Sequence, residues 1–255
     1  MTQERPIRTA AIVAAGFGSR LNELTAAMPK GFLEIGGQSL VERSLDTLRS
    51  FGVERVVIGT GFQAHFYDLL AERRGDVVTV LSEQYATTSS MVTLWNLRHA
   101  LRGPFILLES DLLYEPRAIA ELLAHPAEDV ILASDATHSG DEVYIETTDG
   151  GDLVAMSKDK TRLARVNAEL VGISKVSDAT YRAMCDVMEA RLETQPKLDY
   201  ESAFVEVGKA KAIPVHRVDG LAWCEIDDAN HLARANARIL PRVEAAREER
   251  QRLAG

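Results

Sequence analysis

The run Ile12-Val13-Ala14-Ala15-Gly16-Phe17-Gly18-Ser19-Arg20-Leu21, followed by Met28-Pro29-Lys30, holds the residue types that bind phosphate. An apolar stretch ends in a glycine-rich turn, and two cations follow. Glycine permits positive φ and close approach of a ligand to the backbone. Successive N–H groups in such a turn form an anion cradle. Arginine grips phosphate as a fork and lysine as a point charge. Gly16-Phe17-Gly18 lacks the third glycine of a dinucleotide fingerprint and the Gly-Lys-Ser/Thr end of a P-loop. A plain strand-to-helix turn is the competing reading of the glycines alone.

Carboxylates supply the second kind of chemistry. Asp111 follows the apolar run Phe105-Ile106-Leu107-Leu108 through Glu109 and Ser110, and Asp227 follows Trp223-Cys224-Glu225-Ile226. Magnesium takes oxygen ligands, typically one or two carboxylates together with substrate phosphates. Two aspartates just past apolar strands meet that need, although either could instead cap a turn or helix. Asp228 reads as a cap for the helix that follows.

The elements that must position these residues alternate through the first half. Strands are predicted at 9–15, 55–60, 76–81, 104–109 and 129–134, and helices at 40–50, 64–74, 89–101 and 116–123. This alternation implies right-handed βαβ units and a mainly parallel sheet, with the site at the strands' carboxyl ends. The second half changes character. A hairpin (142–147 and 153–157) turns at Asp149-Gly150-Gly151-Asp152. Strands at 170–176, 212–218 and 223–226 and helices at 179–191, 201–207 and 229–252 come after it. The expected fold is α/β: a Rossmann-like, mostly parallel twisted sheet flanked by helices, with a small β-rich lid. One domain is expected, with a core at about 7–135 and 205–255 and a lid at about 136–204.

Composition bounds the function. The 255 residues are 46% hydrophobic and carry a net charge of −9, with no basic run, which argues against nucleic-acid binding. Cys185 and Cys224 stand far apart with no CxxC, so two reduced thiols are expected rather than structural zinc. No apolar run approaches the ~18 residues of a membrane span, and the first residues carry no apolar signal region. A cytoplasmic protein is expected. His65, His99, His125, His138, His216 and His231 show no ligand spacing and read as structural or surface residues.

The pattern A-A-G-x-G-S-R-L … P-K, with Glu109-Ser110-Asp111 and Trp223-Cys224-Glu225-Ile226-Asp227, resembles the nucleotidyltransferase family over about residues 9–235. Within it the chain looks most like small cytidylyltransferases that act on phosphocholine, 2-aminoethylphosphonate and related phosphonates. Tyr85-Ala86-Thr87-Thr88-Ser89-Ser90 resembles their Y-x-x-T-N-N segment, with serines where asparagines often stand. Ser157-Lys158 resembles the S-K after their hairpin, and Tyr200-Glu201 their Y-E helix start.

The resemblance implies a Mg²⁺-dependent reaction of CTP with a small phosphonate or phosphomonoester, releasing pyrophosphate. It implies that Ala14, Ala15, Gly16, Phe17, Gly18 and Ser19 hold the nucleotide, with Glu83, Thr88, Ser89 and Ser90. Arg20 holds the β- and γ-phosphates, and Lys30 stabilises charge at the α-phosphate. Asp111 and Asp227 hold the metal. Lys158, Tyr200, Glu201, Trp223 and Glu225 meet the acceptor. Lys158 and Lys160 also read as solvated hairpin charges, and Trp95 as helix core. A 2-aminoethylphosphonate-like acceptor is expected. The rivals are a phosphocholine cytidylyltransferase, a sugar-1-phosphate nucleotidylyltransferase, disfavoured because only 28 residues follow Asp227, and a non-catalytic nucleotide-sensing domain. The expected partners are these substrates, with homodimerisation left open and no nucleic acid or membrane.

Overall fold

The computed structural model describes residues 6–18 and 27–254. Parallel strands β1 (Thr9–Ala14), β4 (Arg55–Thr60), β5 (Val77–Leu81) and β6 (Phe105–Glu109) lie in the order β6-β1-β4-β5. On the other side of β6 comes β11 (Ala168–Val176), antiparallel to both β6 and β8 (Val130–Ser134). β12 (Val215–Arg217) continues parallel to β8. The hairpin β9 (Tyr144–Thr147) and β10 (Leu153–Ser157) pairs with the first residues of β11. β11 thus joins the hairpin to the main sheet, and the strand falls inside the range expected for the lid.

Alternation along β1 builds the layers. Ala10, Ile12 and Ala14 face a core formed with α1 (Leu40–Ser50), α2 (His65–Arg73) and α4 (Arg117–Ala124). Ala11 and Val13 face a second core with α3 (Ser90–Asn96), α5 (Asp178–Arg191) and α6 (Tyr200–Gly208). Successive side chains of a strand point to opposite faces, so one strand serves both layers. α1 begins where Ser39 Oγ accepts from the Glu42 N–H at 3.3 Å, and it buries Leu40, Val41, Leu45 and Leu48. Full burial of each leucine contributes about 1.5–3 kcal/mol.

Three expected elements take other forms. The helix expected over 89–101 is α-helical only over Ser90–Asn96 and then tightens to a 3₁₀ turn, Leu97–His99, where Leu97 and Leu101 both reach the core. The strand expected at 212–218 is a ladder with β8 only over Val215–Arg217, while Pro214 bridges to Asp152 and accepts from the Ile131 N–H at 3.0 Å. The C-terminal helix is α7 (Ala229–Arg234), a π turn (Ala235–Ile239) and α8 (Leu240–Ala254). Pro241 cannot donate back along the helix, and the widened turn lies just before it. Two short pairings were not legible: β2 (Glu34–Ile35) with β3 (Gln38–Ser39), and β7 (Leu112–Tyr114) with β13 (Trp223–Glu225). Both cysteines are free, and burial pushes the Cys185 thiol up to about 11 and that of Cys224 to about 12. No described helix is long and apolar enough to cross a membrane.

Candidate active site

The sheet register gathers the site. Val13 pairs with both Gly59 and Glu109, so the turn after Ala14 and the Ser110-Asp111 segment leave the sheet at one edge. Gly18 in that turn adopts φ 64°. Asp227 arrives through β13, which runs antiparallel to β7 with Glu225 opposite Leu112; the Ile226 N–H donates to the Asp111 carbonyl at 3.1 Å. This short ladder is why two aspartates distant in sequence meet. Lys30 opens a 3₁₀ turn, Lys30–Phe32, seated on Tyr67 of α2. The Phe32 and Tyr67 rings meet edge to face with centroids 5.0 Å apart.

These segments converge on a cleft of about 670 Å³ at the carboxyl ends of the parallel strands. On its floor the Lys30 ammonium lies 3.1 Å from Asp111 Oδ2 and pairs directly with Asp227 Oδ1. Burial alone would lower the Lys30 pKa, but Asp111 and Asp227 outweigh it and hold the ammonium charged well above the ordinary lysine range. Burial would raise the Asp227 carboxyl, yet Lys30 and a hydrogen bond with Asp141 hold it well below the carboxylate range. Glu225 lies beside both aspartates, and burial with the Asp111 and Glu109 charges pushes it up. Carboxylate oxygens of Glu109, Asp111 and Glu225 lie within 4.8 Å of one another, as do those of Asp141, Glu225 and Asp227. This all-oxygen donor set fits a hard divalent cation. Glu225, expected at the acceptor, belongs to both groups.

The side of the cleft toward α6 carries a second acidic pair. The Tyr200 hydroxyl donates to Glu109, whose carboxyl burial and Asp111 push up to about 7. Burial and Glu109 push Glu201 up to about 8. Lys158, half-exposed at the end of β10, sits 3.2 Å from Asp141. At the opposite end Phe17 leans on Phe62 and Tyr85, with ring centroids 5.4 and 5.1 Å away.

Most of the expected site residues meet here. Ala14, Ala15, Gly16, Phe17 and Gly18 line the cleft, as do Lys30, Thr88, Ser89, Ser90, Asp111 and Asp227. Lys158, Tyr200, Glu201, Trp223 and Glu225 line it from the other side. Ser19 and Arg20 lie outside the described residues. Glu83 is exposed in the turn after β5 and is not among the lining residues. Ser89 and Ser90 have structural partners: Ser89 donates to Asp199, and Ser90 accepts from the Tyr200 N–H at 3.0 Å, tying α3 to α6. Trp223 is only 5% exposed and packs into the core, so its ring offers little free face. Trp95 is half-buried beneath the Arg98 guanidinium.

Sequence reasoning missed Asp141, Lys197 and His231, all in the cleft wall. Asp141 and Lys197 sit in loops without periodicity. His231 reads as structural in the sequence because no ligand spacing surrounds it.

A family model described as the MobA-like NTP transferase domain matches residues 10–253. The chain belongs to this family. It is 25% identical over 257 residues to CMP-5'-(3-aminopropyl)phosphonate synthase of Streptomyces rubellomurinus, covering 95% of this chain and 40% of that protein. It is 25% identical over 228 residues to 2-aminoethylphosphonate cytidylyltransferase of Lancefieldella rimae, covering 88% of this chain and 90% of that one. The chain therefore spans less than half the length of the first relative and nearly all of the second.

The inositol-1-phosphate CTP transferase from T. maritima superposes with a TM-score of 0.82 at 18% identity, covering 96% of this chain and 98% of that one. The CTP:phosphocholine cytidylyltransferase from Streptococcus pneumoniae superposes at 0.74 and 20% identity, covering 90% and 98%. At such identities the likeness establishes the nucleotidyltransferase fold. Within this fold the cleft of the chain brings the glycine turn, Lys30 and the two aspartates together.

Proposed function

We propose that this NTP transferase is a cytidylyltransferase. It moves CMP from CTP to a small phosphonate or phosphomonoester, with an amine-bearing phosphonate of the 2-aminoethylphosphonate class as acceptor. The observation that carries this reading is the placement of Lys30 between Asp111 and Asp227 at the mouth of the glycine turn. The names of the aminopropyl- and aminoethylphosphonate relatives support the choice of nucleotide and acceptor.

Each residue then has a role. Backbone N–H groups of the turn at Gly16, Phe17 and Gly18 cradle the nucleotide phosphates, and Arg20, outside the described residues, is the proposed partner of the β- and γ-phosphates. Asp111 and Asp227 would hold Mg²⁺, with Glu225 and Asp141 within reach. When bound, that ion neutralises charge on the triphosphate and the departing pyrophosphate. Lys30 is the fixed cation beside the α-phosphate, where negative charge builds during transfer. Lys158 faces the acceptor's anionic group. Tyr200, Glu109 and Glu201 face its ammonium end.

The acceptor oxygen forms a bond to the α-phosphorus as the bond to the bridging oxygen breaks, and pyrophosphate leaves. That oxygen is already anionic near neutral pH, so no side chain has to act as general base. Positioning and charge neutralisation carry the rate.

The test is pyrophosphate release with Mg²⁺, each NTP and a panel of 2-aminoethylphosphonate, phosphocholine, hydroxyethylphosphonate and hexose-1-phosphates. CTP with an aminophosphonate should give the highest kcat/KM. A preference for UTP, GTP or dTTP with a hexose-1-phosphate would replace this reading with a sugar nucleotidylyltransferase. Absence of pyrophosphate release with every NTP would point to a sensing domain.

A further inference from the structure

The segment between β8 and β9 forms a strap that lines the cleft through Thr137, Ser139 and Asp141. Three side chains from elsewhere staple it down. Glu169 of β11 accepts from the Thr137 N–H at 2.5 Å and from Thr137 Oγ1 at 2.8 Å. Arg234 donates to the Thr137 carbonyl at 3.2 Å. His231 reaches the Ser139 carbonyl through Nε2 at 3.2 Å. His138, between the stapled residues, is held at φ 54°, a conformation that persists only when its surroundings enforce it.

The His231 imidazole has a second partner. Its Nδ1 accepts from the Asp227 backbone N–H at 3.3 Å. With Nδ1 accepting, the ring proton sits on Nε2 and donates to Ser139, so the two partners together select one neutral tautomer. His231 is itself fixed: its side chain is 8% exposed, and its backbone N–H is capped by Asp228 Oδ1 at 2.8 Å. One buried ring therefore joins the backbone of Asp227 to the strap that carries Asp141.

We propose that His231 is a positioning residue that locks the 137–141 strap to the Asp227 segment, so that Asp141 and Asp227 face the cleft as one unit. The kinetic part of this statement rests on the cytidylyltransferase reading; the structural part does not. Residues that orient metal-binding carboxylates typically cost about 10–100-fold when lost.

The experiment compares His231→Phe, which keeps a ring without hydrogen bonds, with His231→Gln, which can accept at one atom and donate at the other. Amide hydrogen exchange over 137–141 is measured on the full chain, with β1 amides as the internal reference. His231→Phe should speed strap exchange by about tenfold or more and leave β1 unchanged, while His231→Gln stays near wild type. In the transferase assay His231→Phe should lower kcat about tenfold and raise the Mg²⁺ concentration for half-activation severalfold. KM for CTP should move less than about twofold, and glutamine should restore most of the loss.

Unchanged strap exchange in His231→Phe, or equal damage in both variants, would overturn the proposal. If His231→Phe does not fold, loss of strap protection in the glutamine variant would overturn it, and retention would support it. If the wild-type protein turns over no NTP, the functional reading fails and the exchange result alone decides the role of His231.

Discussion

Lys30 and Asp227 lie 197 residues apart in sequence, yet their side chains form an ion pair on the cleft floor, where Asp227 is 1% exposed. Removing one partner of a buried pair leaves an uncompensated charge, which is strongly destabilising. Here the site would lose a cation among Asp111, Glu225 and Asp227. We expect Lys30→Met to lower kcat by about 10²–10³-fold, the range for loss of one preorganised donor. KM for CTP should change far less. The variant should also melt lower in EDTA and regain stability with Mg²⁺, because a divalent ion can neutralise the stranded carboxylates. An effect confined to KM would move Lys30 to ground-state binding.

Gly172 sits in the middle of β11 at φ 79°, and an added Cβ would stand 2.8 Å from Glu109 Oε2. The strand's pairing with β8 shifts register between Leu170 and Ser174, so this residue forms an irregularity beside the site. Alanine there meets both backbone strain and a clash with the Glu109–Tyr200 pair. Each such effect costs about 1–3 kcal/mol. Gly172→Ala should therefore lower Tm by several degrees and weaken acceptor binding more than CTP binding. Unchanged stability with unchanged kinetics would contradict this account of the irregularity.

Much of this arrangement is legible in the sequence, for a physical reason. β1, β4 and β6 are continuous apolar runs, the mark of strands buried on both faces, and the residues just past each run fall at one sheet edge. Sequence alone therefore brings the Gly16 turn and Asp111 together. The convergence of Asp227 depends on the three-residue ladder β7–β13, too short to show a period. Asp141 depends on a strap with no repeating pattern, held by Glu169, Arg234 and His231 through contacts far apart in the chain. The β2–β3 pair, two residues on either side of Gly36-Gly37, is likewise too short to show a period. The antiparallel direction of β11 is set by its neighbours, since an apolar run has no polarity of its own.

Stability at acid pH should depend on Asp76 at the start of the edge strand β5. Its carboxylate receives Arg74 Nε at 3.3 Å and Arg49 Nη2 at 3.2 Å. Burial alone would raise its pKa, but the Arg74 hydrogen bonds and charge, aided by Arg49, outweigh burial and lower it. A lowered folded-state pKa means stability present above the unfolded value of 3.8 and lost as pH falls through the folded value. Asp76→Asn should cost roughly 1–3 kcal/mol at pH 7, the scale of hydrogen bonds to charged groups. The gap in Tm between wild type and variant should close as pH falls through and below the unfolded value of 3.8. A gap that stays constant over that window would show that the carboxylate's charge is not what stabilises β5.

Glu201 offers the most direct test of the acceptor. Its Oε2 is buried and has no hydrogen-bond partner among the described residues, and the side chain borders the cleft beside Glu109. Leaving a buried acceptor unpaired costs about 1–3 kcal/mol, so a ligand that donates to it gains by supplying the missing bond. A primary ammonium carries three such donors, whereas a trimethylammonium has none and would need an open aromatic face. Trp223 and Tyr200 are 5% and 2% exposed and offer little of one. Glu201→Gln should therefore raise KM for 2-aminoethylphosphonate about tenfold or more, a loss of about 1.4 kcal/mol. KM for CTP should stay within about twofold, and the loss on hydroxyethylphosphonate, whose single uncharged hydroxyl donor replaces the ammonium's three, should be clearly smaller. Equal losses on the amino and hydroxy acceptors would show that Glu201 supports the fold of the cleft and does not read the amine. A wild-type preference for phosphocholine would move the cation's recognition away from this carboxylate altogether.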